Sequence, residues 1–176
     1  MQNAYQILSK QLKRSLTVKN RVVLYCPAGY PAVIENAALD NEGKPFPTLY
    51  WLSCPLAVKK VAQLEAAGLI KELEQKLKLE TALQKAFLKG VHEYQQRRKE
   101  LLKDKEKDVG TAFLKSGVGG SRNLLAIKCL HAHLAHFLAT KNNPIGELVF
   151  KQFSWANCNY CTKFNDTSSH WFRNKL

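Results

Sequence analysis

The chain has 176 residues, of which 45% are hydrophobic and 10% aromatic, and its formal net charge is +13. This length fits one domain with a buried core, the composition excludes a disordered protein, and no apolar run reaches the roughly 18 residues of a membrane span. The first ten residues lack the apolar segment of a signal peptide, and the five irregularly spaced cysteines argue against a secreted disulfide framework, so we expect a cytoplasmic protein with reduced thiols.

The first third of the chain predicts a helix followed by three strands. Apolar residues recur at helical spacing over residues 3–16, and β signals follow at 21–26, 31–36 and 48–53. A turn after Cys26 contains Gly29 at a position suited to positive φ. Residues 40–43 form a polar loop. A small sheet is therefore expected before residue 54.

From Pro55 onward the pattern is helical. A first helix is expected to end at Gly68, and others follow at about 69–78 and 80–103, then a charged loop at 103–110. A glycine turn, an apolar helix to about Thr140 and a short helix after Pro144 complete the body. We predict an α+β fold with a small, mostly antiparallel three-stranded sheet packed against several helices, as a single domain over 1–153 with an irregular C-terminal tail over 154–176.

A glycine-rich turn stands directly before the apolar helix and predicts an anion site. Glycines permit positive φ, Ser121 is a typical N-cap, and free N–H groups at a helix start attract anions. The turn is not a P-loop, because it lacks the Gly-Lys-Ser/Thr ending. The predicted anion-binding residues are Gly117, Gly119, Gly120, Ser121, Arg122 and Lys128.

The charge distribution suits an anionic partner. Residues 57–108 mix thirteen Lys/Arg with nine acids, as solvated helices do, whereas residues 109–176 carry eight Lys/Arg against two acids. This excess favours an anionic small molecule or RNA, although no RNA-binding motif accompanies it. No membrane partner is expected, and the sequence does not indicate an oligomeric state.

The apolar helix carries candidate catalytic and metal-binding side chains. If the helix begins at the glycine turn, Cys129, His133 and His136 share one face and His131 points away, with helix rotation deciding which histidine meets the cleft. Cys129 and His131 are the candidate catalytic pair, as thiol and imidazole. Burial as ordinary core residues is the alternative for each.

Two further cysteines extend the metal prediction. Cys26 and Cys54 each follow a predicted strand and precede proline. In a simple meander they lie two strands apart, about 10 Å, which is too far for a shared metal unless the strands bend. Direct pairing of the first and third strands brings them to about 5 Å, so a shared metal would favour that order. The predicted metal ligands are Cys26, Cys54, Cys129 and His133, with zinc as the expected ion.

The tail contains a separate Cys-x-x-Cys pair. Cys158 and Cys161 are followed by His170. Two thiols at this spacing can bind zinc or form a redox disulfide. A zinc site would need further ligands, and Cys26 or Cys54 from the body would dock the tail. Two thiols without a role are the alternative.

Several blocks carry a family resemblance. These are residues 26–33 (CPAGYPAV), 46–55 (FPTLYWLSCP), Leu64-Glu65 with Gly68, 117–120 (GVGG), 128–133 (KCLHAH) and 143–146 (NPIG). With them the chain resembles DUF501, a bacterial family of unknown function. The resemblance implies a compact cytoplasmic bacterial domain and supplies no activity.

Two classes of function fit the sequence. One is an enzyme acting on a phosphorylated or carboxylated metabolite, with Cys129 or a bound metal doing the chemistry. The other is a non-catalytic domain with structural cysteines or zinc that contacts RNA or a protein through its basic surface. A metal measurement would separate them best.

Overall fold

The computed structural model describes residues 4–103, 105, 109–155 and 158–164. The predicted ligand His170 lies outside this range. The elements in chain order are α1 (Ala4–Leu12), β1 (Asn20–Tyr25), β2 (Pro31–Asn36), β3 (Tyr50–Leu52), α2 (Pro55–Ala66), α3 (Leu69–Leu79), α4 (Thr81–Leu102), α5 (Thr111–Lys115), α6 (Leu130–Thr140) and α7 (Pro144–Phe150), with 3₁₀ turns at Val118–Gly120 and Thr162–Phe164.

The three strands form an antiparallel meander in the order β1-β2-β3. Every residue of the central strand β2 is buried, because helices cover both faces of the sheet. Leu8 and Leu16 pack on one face around Ile34, and α6 contacts the other. The α+β prediction is confirmed, and of the two strand orders the meander is the one present.

Some predicted boundaries shift. The first helix ends at Leu12 rather than near residue 16, since Lys13 has a φ of 55°. Gly29 and Gly68 have the positive φ expected of them, 79° and 91°. The third strand shortens to Tyr50–Leu52.

Helix α6 lies at the centre of the molecule. Eight of its residues are buried, including both His133 and His136. It packs against the sheet, α2 and α7. A polar contact adds a second support for the sheet: the buried carboxylate of Glu35 on β2 accepts two hydrogen bonds from Arg97 of α4, at 2.8 and 3.0 Å. Both α6 and α4 thus hold the sheet, and Tyr50 of β3 contacts a side chain of each.

Candidate functional site

The glycine turn does not lead directly into a helix. Helix α6 begins at Leu130, and Ser121 adopts extended backbone, its hydroxyl donating to the carbonyl oxygen of Asn123 at 2.7 Å. The prediction that Ser121 caps this helix was wrong. Two glutamates hold the segment between the glycine turn and α6. Glu74 accepts a hydrogen bond from the N–H of Ile127, and Glu65 accepts one from the N–H of Leu130. These bonds replace the ones a longer helix would have made.

The amides of the turn are bonded within the protein. The N–H of Gly117 donates to Ser121 O at 2.7 Å, and that of Gly120 donates to Gly117 O at 3.1 Å. The N–H of Gly119 faces the buried hydroxyl of Tyr94. The amides of Gly117 and Gly120 are therefore already used within the protein, and anion binding at the turn stays a prediction. Only Gly119 and Gly120 have positive φ, 66° and 74°.

A buried arginine holds the turn from inside. Arg98 is fully buried, and its guanidinium donates to the carbonyl oxygens of Phe113 at 2.8 Å and Ser116 at 2.7 Å, with longer bonds to Pro47 and Gly117. These backbone carbonyls thus accept the hydrogen bonds of a buried guanidinium cation. The other predicted anion contacts, Arg122 and Lys128, are exposed on the surface. The turn is a structural junction between α4 and the segment before β3.

A second group of side chains converges at the start of α6. Sγ of Cys129 lies 3.6 Å from Nδ1 of His131, which lies 3.2 Å from Oε1 of Glu65 on α2. These three atoms all lie within 4.8 Å of one another, and no other such group of three ligands occurs in the described part of the chain. Glu65 and His131 side chains are each 25% exposed, so water reaches the site.

Backbone groups fix the orientation of this cluster. Nε2 of His131 lies 3.1 Å from the carbonyl oxygen of Val58, which can only accept, so Nε2 carries a hydrogen. In the neutral ring Nδ1 therefore presents its lone pair to Cys129 and Glu65. Oε1 of Glu65 also accepts the N–H of Leu130 at 2.7 Å. These bonds hold the three ligand atoms close together.

The cluster favours a positive charge on His131. Burial alone lowers the pKa of this imidazole, but the hydrogen bond and charge of Cys129, the Glu65 carboxylate and the Val58 carbonyl outweigh it and raise the pKa to about 9. A cation is favoured here because the Glu65 carboxylate and the Cys129 sulfur lie against the ring. The same electrostatics would favour a bound metal cation.

Residues 22–151, most of the chain, match the family described as Protein of unknown function (DUF501). The chain belongs to the DUF501 family. The family-matched range holds Glu65, Cys129 and His131, whereas Cys158 and Cys161 follow it. Neither a curated protein nor a solved structure gives a significant match.

The ligand set predicted from the sequence is not assembled in this DUF501 protein. No three of Cys26, Cys54, Cys129 and His133 have ligand atoms within 4.8 Å of one another, although all four are described. Cys129 precedes the first residue of α6 instead of lying on its face, and it pairs with His131. Because the helix starts late, the four- and seven-residue spacing does not apply to it.

The other two histidines of α6 form a buried network. Asn143 accepts the N–H of Gly146 through Oδ1, at 2.8 Å, which leaves its Nδ2 to donate to Nδ1 of His133 and of His136 at 3.1 and 3.0 Å. Burial lowers the pKa of His133 to about 4 and that of His136 to about 3. His133 is thus a neutral core residue whose Nδ1 is already used.

Sequence reasoning proposed Cys129 and His131 as a pair and missed their third partner. Glu65 lies more than sixty positions earlier, on a helix whose many charged residues are typical of a solvated surface. The signal that pointed to it was the Leu64-Glu65 block of the DUF501 resemblance. None of the helices in the described residues is long and apolar enough to cross a membrane.

Proposed function

We propose that Glu65, Cys129 and His131 bind one divalent transition-metal ion, with zinc as the expected ion. The observation that supports this is the convergence of a carboxylate, a thiol sulfur and an imidazole nitrogen within 4.8 Å. A thiolate with an imidazole and a carboxylate suits zinc. The Val58 carbonyl on Nε2 is the kind of outer partner that metal-binding histidines have.

The proposed centre is catalytic rather than structural. Three protein ligands leave a fourth position for water or substrate, as in catalytic zinc sites, and the partial exposure of Glu65 and His131 gives access to it. When bound, the metal would supply a Lewis acid and a water that ionises near neutral pH. The reaction class is hydrolysis or a related addition of water.

We infer an anionic small-molecule substrate from the surrounding charge. Lys128 is exposed and directly precedes Cys129. The basic excess of the C-terminal segment adds to this field, which attracts carboxylated or phosphorylated molecules. A reducing compartment such as the cytoplasm would keep the half-buried Cys129 reduced and available to a metal.

A second candidate is nucleophilic cysteine chemistry without a metal. Cys129 stands at the N-terminus of α6, and His131 is positioned 3.6 Å away to accept its proton. Glu65 would then stabilise the imidazolium. Both candidates use the same residues but differ in what occupies the point between them.

Metal content of untagged protein separates the two candidates. We expect Glu65→Gln and Cys129→Ser each to lose one equivalent of zinc relative to the wild type, because each removes one of three ligands. Glu74→Gln is the matched control, since Glu74 accepts the nearby Ile127 N–H at 3.0 Å but lies outside the cluster. It should keep the full zinc content.

Alkylation with iodoacetamide completes the test. The metal proposal predicts that Cys129 is protected until a chelator is added. If zinc content is the same in all four proteins and Cys129 alkylates fastest without chelator, the nucleophile is the better explanation. Equal zinc with an unreactive Cys129 would contradict both candidates.

A further inference from the structure

Four of the five cysteines lie outside the proposed centre, and two of them flank one end of the sheet. The N–H of Cys26 donates to Tyr30 O at 2.8 Å, and that of Cys54 donates to Ala32 O at 3.3 Å. These carbonyls lie on either side of Pro31, the first residue of β2. Both thiols are buried. The end of the meander therefore places two cysteines around the start of its central strand.

The C-terminal segment brings the other two cysteines to the same end. Nε2 of the buried Gln11 donates to Pro31 O at 2.9 Å and to Sγ of Cys161 at 3.3 Å. The Cys161 thiol is buried. Gln11 thus places it near the Pro31 carbonyl, at the start of the strand that Cys26 and Cys54 flank.

N–H donors are directed at the sulfur atoms. Besides Gln11, the indole Nε1 of Trp155 is buried without a partner at standard hydrogen-bond geometry. It faces the Cys54 sulfur, as do the N–H groups of Ala57 and Leu56 in the first turn of α2. A neutral thiol is a weak acceptor and needs no such donors. Donors of this kind stabilise thiolates.

The strand order excludes a direct disulfide between Cys26 and Cys54. They are two strands apart in the meander, about 10 Å between backbones, whereas disulfides need Cα atoms within about 7 Å. Two thiolates on one zinc lie about 4 Å apart, given bonds of about 2.3 Å, so a shared ion requires the strand ends to bend toward each other. Cys158 and Cys161 have the two-residue spacing common in zinc sites.

We propose that Cys26, Cys54, Cys158 and Cys161 bind a structural zinc ion as four thiolates and so fasten the C-terminal segment to the end of the sheet. Loading releases four protons, one from each thiol, and yields a centre of net charge −2. Gln11, Trp155 and the first amides of α2 lie where they stabilise that charge. No three of the four sulfur atoms lie within 4.8 Å of one another in the described structure, so loading requires the ends of β1 and β3 at Cys26 and Cys54, as well as the segment at Cys158, to close on the ion.

Cobalt replacement in the full-length protein tests the proposal. We expect Co²⁺ to give strong thiolate-to-cobalt charge-transfer absorption and the intense visible bands of tetrahedral coordination, with zinc displacing it. Cys161→Ser should lose most of this absorption together with one equivalent of zinc. Cys129→Ser should keep nearly all of it, because that site contributes one thiolate against four.

Cys158→Ser is the second test variant, in case Cys161→Ser does not fold. Cys158 is only half-buried, so its replacement should not prevent folding. The variant should remain folded by circular dichroism yet lose the same zinc equivalent as Cys161→Ser. Unchanged zinc content in a folded Cys158→Ser protein would overturn the four-thiolate site. The same zinc measurements test the two proposed sites independently. Loss of zinc only in Cys129→Ser supports the proposed function alone, and loss of zinc only in Cys158→Ser supports the structural site alone.

Discussion

His131 uses its two ring nitrogens for different purposes. The Val58 carbonyl holds Nε2 as a donor, and Nδ1 is left to face Cys129 and Glu65. A histidine on an exposed helix would have neither constraint. The sequence predicts Cys129 and His131 as a candidate catalytic pair, but it does not specify the tautomer of the imidazole, because the carbonyl that sets it belongs to another helix.

Replacing Glu65 should lower the pKa of His131. In chelator-treated protein, Glu65→Gln keeps an acceptor for the Leu130 N–H but removes the charge beside the imidazole, so we expect the pKa to fall from about 9 toward its ordinary value. An NMR titration of the histidine ring protons measures this. Glu74→Gln is the control and should leave the titration unchanged; an equal shift in both variants would contradict the assignment.

The raised pKa of His131 should make the free energy of unfolding depend on pH. His131 has a raised pKa in the folded state, so its contribution is fully present below the unfolded value of about 6.5 and is lost as pH rises through about 9. Between pH 7 and 9 the free energy of unfolding should fall more steeply in the chelator-treated wild type than in Glu65→Gln. Urea titrations at several pH values test the difference.

At the scale of elements, the start of α6 is decided by neighbouring helices. Leu124, Leu125 and Ile127 suit an apolar helix beginning at the glycine turn. Glu65 and Glu74 instead bond the N–H groups of Leu130 and Ile127 and hold the preceding segment out of the helix. Helical periodicity is a local property of the sequence. It does not show that carboxylates from distant helices will accept hydrogen bonds from these N–H groups.

Two helix glycines are required by close packing. A Cβ at Gly146 would overlap the carbonyl oxygen of His133 on α6, and one at Gly90 would overlap that of Asn142. We expect Gly146→Ala and Gly90→Ala each to destabilise by about 1–3 kcal/mol, although alanine is the better helix former. Urea denaturation followed by circular dichroism measures the loss.

Gly110→Ala is the matched control for this prediction. Gly110 has a φ of −68°, and nothing lies within 4 Å of a Cβ built there. Its free energy of unfolding should stay within about 0.5 kcal/mol of the wild type. If the three alanine variants are equally stable, the helix contacts are looser than the structure indicates.

For the molecule as a whole, the buried polar residues join elements distant in sequence. His136 stacks on Tyr50 of β3 with ring centroids 5.6 Å apart, meets Tyr94 of α4 edge-on, and shares Asn143 with His133. Arg98 connects α4 to the glycine turn. The core therefore contains a neutral imidazole network as well as apolar side chains.

This network should make the protein sensitive to mild acid. His133 and His136 have folded-state pKa values of about 4 and about 3, below the unfolded value of about 6.5, so the unfolded chain binds protons first. Stability should be full above pH 6.5 and fall from there to pH 5, at a rate approaching about 1.4 kcal/mol per pH unit for each histidine. His136→Phe should remove about half of this slope.

The exposed His92 provides the comparison for that measurement. His92→Asn should leave the slope of the unfolding free energy between pH 6.5 and 5 as it is in the wild type. A wild-type stability that is flat over this range would show that the two buried imidazoles are charged in the folded state.

The sequence by itself determined the fold class and the order of the helices and strands. These follow from hydrophobic periodicity and turn residues, which are local. Only the tertiary structure decided the meander order, the late start of α6, the contact of Cys129 with His131, the burial of His133 and the position of Glu65 beside them. Each of these depends on side chains or carbonyls that fold in from distant positions, and a linear pattern carries no record of such contacts.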